Sequence, residues 1–252
     1  MNLADFRIPG LPSTFYYIPN FITASEESSI LQKIPSQRWI SLSKRRLQAI
    51  PSTLLKGTTL LAAPLPPYLV NPVIDRFSDL GVFDATPHRK PNHVLVNEYL
   101  AGQGIMPHED GAAYAPVVAT ISLGGSLCLE ITAKERGSTI EREGAMGGES
   151  QEREATGDEE EVARPANWRI LQEPRSLLVT TDAAYVSTLH GISEIEIDEG
   201  LSAETVANWE LLGDESVFEG GVNVRQERIS LTYRDVLKVS SAASKVFGGA
   251  RR

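Results

Sequence analysis

The chain of 252 residues contains a single cysteine, Cys128. That excludes an intramolecular disulfide and any cysteine-rich zinc site. Cys128 stands between Leu127 and Leu129, where a thiol packs as a small apolar side chain. No apolar run reaches the roughly 20 residues that a membrane helix needs. The opening MNLADFRIPGLPSTF has neither the basic n-region nor the continuous apolar stretch of a signal peptide. A cytoplasmic or nuclear protein without a membrane partner is therefore expected, and a monomer. Basic charge is also scarce. The net charge of −9 works against non-specific attachment to phosphates. Much of it is local: residues 133–167 hold ten acidic and five basic side chains, so −5 of the −9 falls there. This stretch has almost no large apolar residues and cannot offset its ordering entropy by burial. It is expected to be a disordered acidic insertion within a hairpin connection.

Histidine is nearly as rare as cysteine. The four are His88, His93, His108 and His190, and two of them, His93 and His108, sit in the most informative stretch, NHVLVNEYLAGQGIMPHEDG, from Asn92 to Gly111. The alternation over His93–Leu100 predicts a strand with His93, Leu95, Asn97 and Tyr99 on one face. Gly102 and Gly104 then turn the chain. If His108-Glu109-Asp110 is extended, His108 and Asp110 share a face. With His190, which ends an apolar strand and precedes Gly191, they make a set of two histidines and one carboxylate. Such a set suits non-haem Fe(II) with open coordination positions. Taken alone, the three residues fit a structural zinc site or unrelated core histidines better.

Short strands also fill most of the later chain. Phe15–Ile18 reads as a strand, and Thr23-Ala24-Ser25-Glu26 as a capping box opening a helix that stops at Pro35. Trp39–Leu42 and Arg46–Ile50 read as strands around the basic turn Ser43-Lys44-Arg45, which is either a phosphate contact or a solvated tip. A second helix is expected from Pro66 to Leu80, with Gly81 after its end. VVATISLGGSLCLEIT, from Val117 to Thr132, reads as two strands broken at Gly124-Gly125, a hairpin pattern. Further strands are expected at Trp168–Leu171, Ser176–Thr180, Tyr185–Ile192 and Arg228–Val236, with a loose tail over 237–252. Helices before residue 91 and strands from 91 to 236 imply an α+β chain built on an antiparallel barrel or jelly roll. Residues 1–90 would form a helical and lid extension of the same domain.

The last strand, RISLTYRDV, puts Arg228, Ser230, Thr232 and Arg234 on one face and Ile229, Leu231 and Tyr233 on the other. Two arginines on an inner face are costly without an anionic partner. A small dicarboxylate held by bidentate contacts is such a partner. A strand with one wet face fits the same alternation.

Asn97-x-Tyr99, His108-x-Asp110, His190 and Arg228-x5-Arg234, in this order, resemble the AlkB family of Fe(II)/2-oxoglutarate-dependent dioxygenases. The resemblance runs from about Tyr17-Ile18-Pro19-Asn20-Phe21 to Arg234, apart from the acidic insertion, and includes WISLSKRRLQ and TISLG. It implies a double-stranded β-helix (jelly-roll) core with N-terminal helices packed on it. It implies further that His108, Asp110 and His190 hold iron, and that Asn97, Tyr99, Arg228, Ser230 and Arg234 hold 2-oxoglutarate. The family often has Asn where Ser230 stands. The implied reaction consumes O2 and 2-oxoglutarate, releases succinate and CO2, and demethylates an N-alkylated base of RNA or DNA with loss of formaldehyde. A protein-directed hydroxylase or demethylase is the alternative within the same chemistry. A low-turnover metal-containing binding module is the alternative outside it.

Overall fold

The computed structural model describes residues 2–12, 14–134 and 167–241. The acidic insertion and most of the tail therefore lie outside the described residues. Before residue 91 the strands are β1 (Phe15–Ile18), β2 (Ile40–Ser41), β3 (Arg46–Ile50) and β4 (Thr59–Leu61). The middle of the chain adds β5 (His93–Tyr99), β6 (Ile105–His108), β7 (Tyr114–Gly124), β8 (Leu127–Ala133), β9 (Asn167–Gln172) and β10 (Leu177–Thr181). The rest are β11 (Thr188–Ile192), β12 (Ile197–Glu199), β13 (Val222–Val224), β14 (Arg228–Val236) and β15 (Lys238–Ser240). Helices are α1 (Ala24–Lys33), α2 (Pro67–Val70), α3 (Val73–Asp79) and α4 (Asp182–Ser187). None is long and apolar enough to cross a membrane among the described residues.

Two antiparallel sheets make the jelly roll. The larger runs β1-β10-β7-β14-β5-β3-β2, and the smaller β6-β11-β8-β9. On β14, Ile229, Leu231 and Tyr233 face outward, where Val94 and Val96 of β5 join Leu69, Val73 and Phe77 of α2 and α3 in one apolar cluster. A second cluster lies between the sheets and includes Phe15, Tyr17, Leu127, Leu129, Ile131, Ile170 and Leu178. Burial of these side chains, each contributing about 1.5–3 kcal/mol, is what holds two sheets around a polar cavity.

Three expectations need correction. The helix expected over 66–80 is two helices, α2 and α3, because Pro72 has no N–H to continue the ladder. Gly124 and Gly125 do not join a hairpin: β7 belongs to the larger sheet and β8 to the smaller. Gly124 has φ +80°, and a Cβ there would stand 2.6 Å from the Glu227 carbonyl oxygen, so the chain changes sheets at a point only glycine fits. The strand expected from Tyr185 to Ile192 starts at Thr188, since Asp182–Ser187 is helical. The strands expected at Phe15–Ile18, Trp39–Leu42 and Arg46–Ile50 are present as β1, β2 and β3, which extend the larger sheet. The expected hairpin connection around the insertion is present: β8 and β9 pair antiparallel from Leu127↔Gln172 to Thr132↔Asn167.

Candidate active site

The inner faces of β5 and β14 form one wall of a cavity of about 880 Å³, its open mouth included. The two strands pair with Ser230 opposite Asn97 and Arg228 opposite Tyr99, so period-2 alternation delivers all four side chains to the same side. The opposite wall comes from β6 and β11, where His108 and His190 are direct cross-strand partners. Their ring centroids stand 4.3 Å apart. Two glycines allow this closeness. A Cβ on Gly191 would meet the Pro107 nitrogen at 3.0 Å, and one on Gly104 would meet the Ile192 carbonyl oxygen at 2.2 Å.

All eight residues expected at the site line this cavity: Asn97, Tyr99, His108, Asp110, His190, Arg228, Ser230 and Arg234. The structure does not, however, bring the three candidate metal ligands to a common point. Among the described residues, no group of three such side chains stands close enough together to hold a metal ion. Asp110 is turned through Oδ1 to the Arg234 guanidinium, which also lies 4.9 Å over the Tyr114 ring.

Electrostatics fit each group to a role. Burial pushes the His190 imidazole down to about 4, outweighing the nearby Asp110 carboxylate that pulls it up. His190 is thus neutral at physiological pH, with a lone pair to give. His108 donates from Nδ1 to the Met106 carbonyl oxygen at 2.9 Å, which leaves Nε2 as the acceptor. Arg228 is fully buried, and burial lowers its pKa to about 10, so it remains a cation. Its side-chain partners are the neutral acceptors Ser122 Oγ, at 2.9 Å, and Gln172 Oε1. The Nε atoms of Arg228 and Arg234, and Asn97 Oδ1, are buried without a hydrogen-bond partner among the described residues. Such orphans are costly in a finished core. They mark a place built for a polar ligand.

Sequence reasoning missed Gln172 and Tyr185 and left Arg45 between two roles. Gln172 follows the Trp168–Leu171 strand at a position where alternation alone assigns an inner face. Tyr185 had no such signal, because its segment is helical. Its hydroxyl is pushed well up, first by burial and then by Asp110.

A Danio rerio protein, "Probable RNA/DNA demethylase ALKBH6", is 35% identical over 248 residues, covering 96% of this chain and 94% of that one. The chain belongs to the AlkB family. It is thereby an oxidoreductase of the dioxygenase type. Another relative of this AlkB-family chain is the Arabidopsis thaliana "Alkylated DNA repair protein ALKBH8 homolog", 30% identical over 133 residues, which cover 50% of this chain and 37% of that one. The solved structure of OsALKBH1 is similar at a TM-score of 0.48 and 17% identity, covering 89% of this chain and 99% of its own. No protein-family model matches the chain.

Proposed function

We propose that this AlkB-family protein uses Fe(II), 2-oxoglutarate and O2 to hydroxylate an N-alkyl group on a base of RNA or DNA. One observation carries the reading. A single cavity holds two imidazoles and a carboxylate together with buried guanidinium and amide atoms that have no hydrogen-bond partner among the described residues. The donor set fits Fe(II), for which two histidines and one carboxylate are an established ligand combination. His190 supplies a neutral imidazole and His108 its free Nε2. Asp110 Oδ2 accepts no hydrogen bond among the described residues. A dicarboxylate fits the rest: Arg228 is a buried cation without a carboxylate partner among the described residues, matched to a distal carboxylate. Asn97, Tyr99, Ser230 and Arg234 supply further donors and acceptors along the same wall.

When bound, iron and 2-oxoglutarate supply an oxidation in which O2 is reduced, 2-oxoglutarate loses CO2 to become succinate and a substrate C–H becomes C–OH; a hydroxylated N-methyl group then breaks down to amine and formaldehyde. The chain itself orients and shields. Leu95, Ile105, Leu129, Ile131, Leu178 and Ile192 line the cavity and keep water from the reacting centre. The base substrate rests on the description carried by the zebrafish relative.

The test is anaerobic addition of Fe(II) and 2-oxoglutarate, followed by the visible metal-to-ligand charge-transfer absorption, with His108→Ala as control. We expect a band in the wild type and its loss in a variant that still folds. No band from folded wild type overturns the reading. Formaldehyde release is then measured on N-methylated RNA, DNA and peptides. Release from peptides alone transfers the assignment to a protein-directed enzyme.

A further inference from the structure

Arg45 lines the same cavity, yet neither the iron ligands nor the co-substrate contacts give it a task. It closes the turn between β2 and β3, where the Leu42 N–H donates to its carbonyl oxygen at 2.8 Å. Alternation along β3 sets the direction of each neighbour. Arg46 stands opposite Glu98 and Leu47 opposite Asn97, so Arg45 shares the inner side with Leu47 and Asn97, beside Tyr99. The flanking cations are already engaged. Lys44 Nζ lies 2.7 Å from Glu194. Arg46 pairs with Glu98 and lies 4.6 Å over the Trp39 ring. Arg45 has no carboxylate partner among the described residues, and its Nε is shielded from solvent with no hydrogen bond.

Charge balance says what is missing. The cavity lining carries three guanidinium groups, Arg45, Arg228 and Arg234, against one carboxylate, Asp110. That leaves an excess of two positive charges. A divalent metal and a dicarboxylate together add nothing to it. Surplus charge in a half-enclosed site is costly unless the substrate brings an anion. A carboxylate and a phosphodiester both qualify, but a planar guanidinium matches phosphate oxygens in the bidentate manner used for nucleic-acid backbones.

We propose that Arg45 is a substrate-binding residue that takes a backbone phosphate of a single-stranded nucleic acid at the cavity mouth. The assignment rests on the dioxygenase reading above. It also explains how a chain of net charge −9 would hold an anionic substrate: through one or two internal contacts instead of a basic surface.

The experiment uses the full chain loaded with Mn(II) and 2-oxoglutarate and a fluorescent single-stranded octathymidylate, read by anisotropy between 50 and 200 mM salt. Two compensated phosphates give a slope of log K against log salt of about −1.4, and Arg45→Gln should bring it to about −0.7. Affinity at the lowest salt should fall about tenfold, whereas Lys44→Gln should leave the slope nearly unchanged. The charge-transfer band with Fe(II) and 2-oxoglutarate should be the same in Arg45→Gln and wild type. An unchanged slope in Arg45→Gln, or no oligonucleotide binding by wild type, overturns the proposal. A weakened 2-oxoglutarate band in Arg45→Gln also overturns it, by making Arg45 a co-substrate ligand. Absence of the band in wild type refutes the dioxygenase reading instead, and the salt slopes still report on Arg45.

Discussion

Arg228 should cost the protein stability until co-substrate arrives. Its guanidinium is fully buried and its pKa is lowered from 12.5 to about 10, first by desolvation. At neutral pH the charged form is therefore disfavoured by about 3 kcal/mol. Hydrogen bonds to Ser122 and Gln172 recover part of this, but neither is charged. Arg228→Met keeps the packing volume and removes the cation. The two acceptors it leaves are not orphaned, since Ser122 Oγ already donates to Gln172 Oε1 at 3.3 Å. Replacing a buried ionic group by an apolar one stabilises by about 1–4 kcal/mol. At about 2–4 °C per kcal/mol for a chain of this size, the variant should melt several degrees above wild type when no co-substrate is present. Saturating 2-oxoglutarate with Mn(II) should then reverse the order. At 1,000-fold excess over Kd the wild type gains about 4.1 kcal/mol, whereas the variant gains little. Differential scanning fluorimetry with and without 2-oxoglutarate measures both effects. If Arg228→Met melts below wild type without co-substrate, Arg228 is a structural residue. If 2-oxoglutarate raises both proteins equally, the dicarboxylate does not bind there.

Two further outcomes follow from other parts of the fold. His93 is buried, and desolvation followed by the nearby Arg234 lowers its pKa from 6.5 to about 4, against a smaller opposing effect of the Ser52 backbone. Its unfolded form takes a proton at 6.5 and its folded form only near 4, so this contribution to stability is complete above pH 6.5 and is lost as pH falls from 6.5 towards 4. The full loss is about 3 kcal/mol. Urea unfolding of His93→Leu should show a shallower decline over that window, and an unchanged decline would place the effect elsewhere. Gly104→Ala puts a Cβ 2.2 Å from the Ile192 carbonyl oxygen. It should destabilise by about 1–3 kcal/mol and, by forcing β6 from β11, weaken Fe(II) binding by equilibrium dialysis. Normal melting and binding would show that the two strands can separate freely.

Period-2 patterns were legible because they depend only on neighbours in the chain. The strand RISLTYRDV has the expected bounds and the expected faces. So does the capping box at Thr23, where Glu26 N–H donates to Thr23 Oγ1 at 3.2 Å and Thr23 N–H donates back to Glu26 at 2.7 Å. What failed depended on tertiary partners. Nothing local distinguishes Gly124-Gly125 as a hairpin from the same pair as a passage between sheets, because the decision lies with the Glu227 carbonyl that crowds Gly124. Tyr185 and Val186 carry strand-like side chains, yet the segment takes a helical turn before β11. The candidate site was legible as a set of residues and not as a set of contacts. That Asp110 turns to Arg234, or that Arg45 points inward while Arg46 points out to Glu98, is settled by strand register, and a slip of one residue would reverse the second.

The two faces of β14 explain how the fold tolerates such a site. Its inner face carries two arginines whose Nε atoms have no hydrogen-bond partner among the described residues, a net cost to folding. Its outer face carries Ile229, Leu231 and Tyr233. The Tyr233 ring stacks edge-on against Phe77 at 5.1 Å, and its hydroxyl donates to the Leu69 carbonyl oxygen at 3.0 Å. β14 also lies in the middle of the larger sheet, paired on both sides along nearly its whole length. One strand therefore joins the strained polar face to the most firmly held apolar one. Each outward residue holds the backbone that aims the inward residues on either side of it. The N-terminal helices act on the site by this route, since they bury the far side of the strand that presents Arg228 and Arg234.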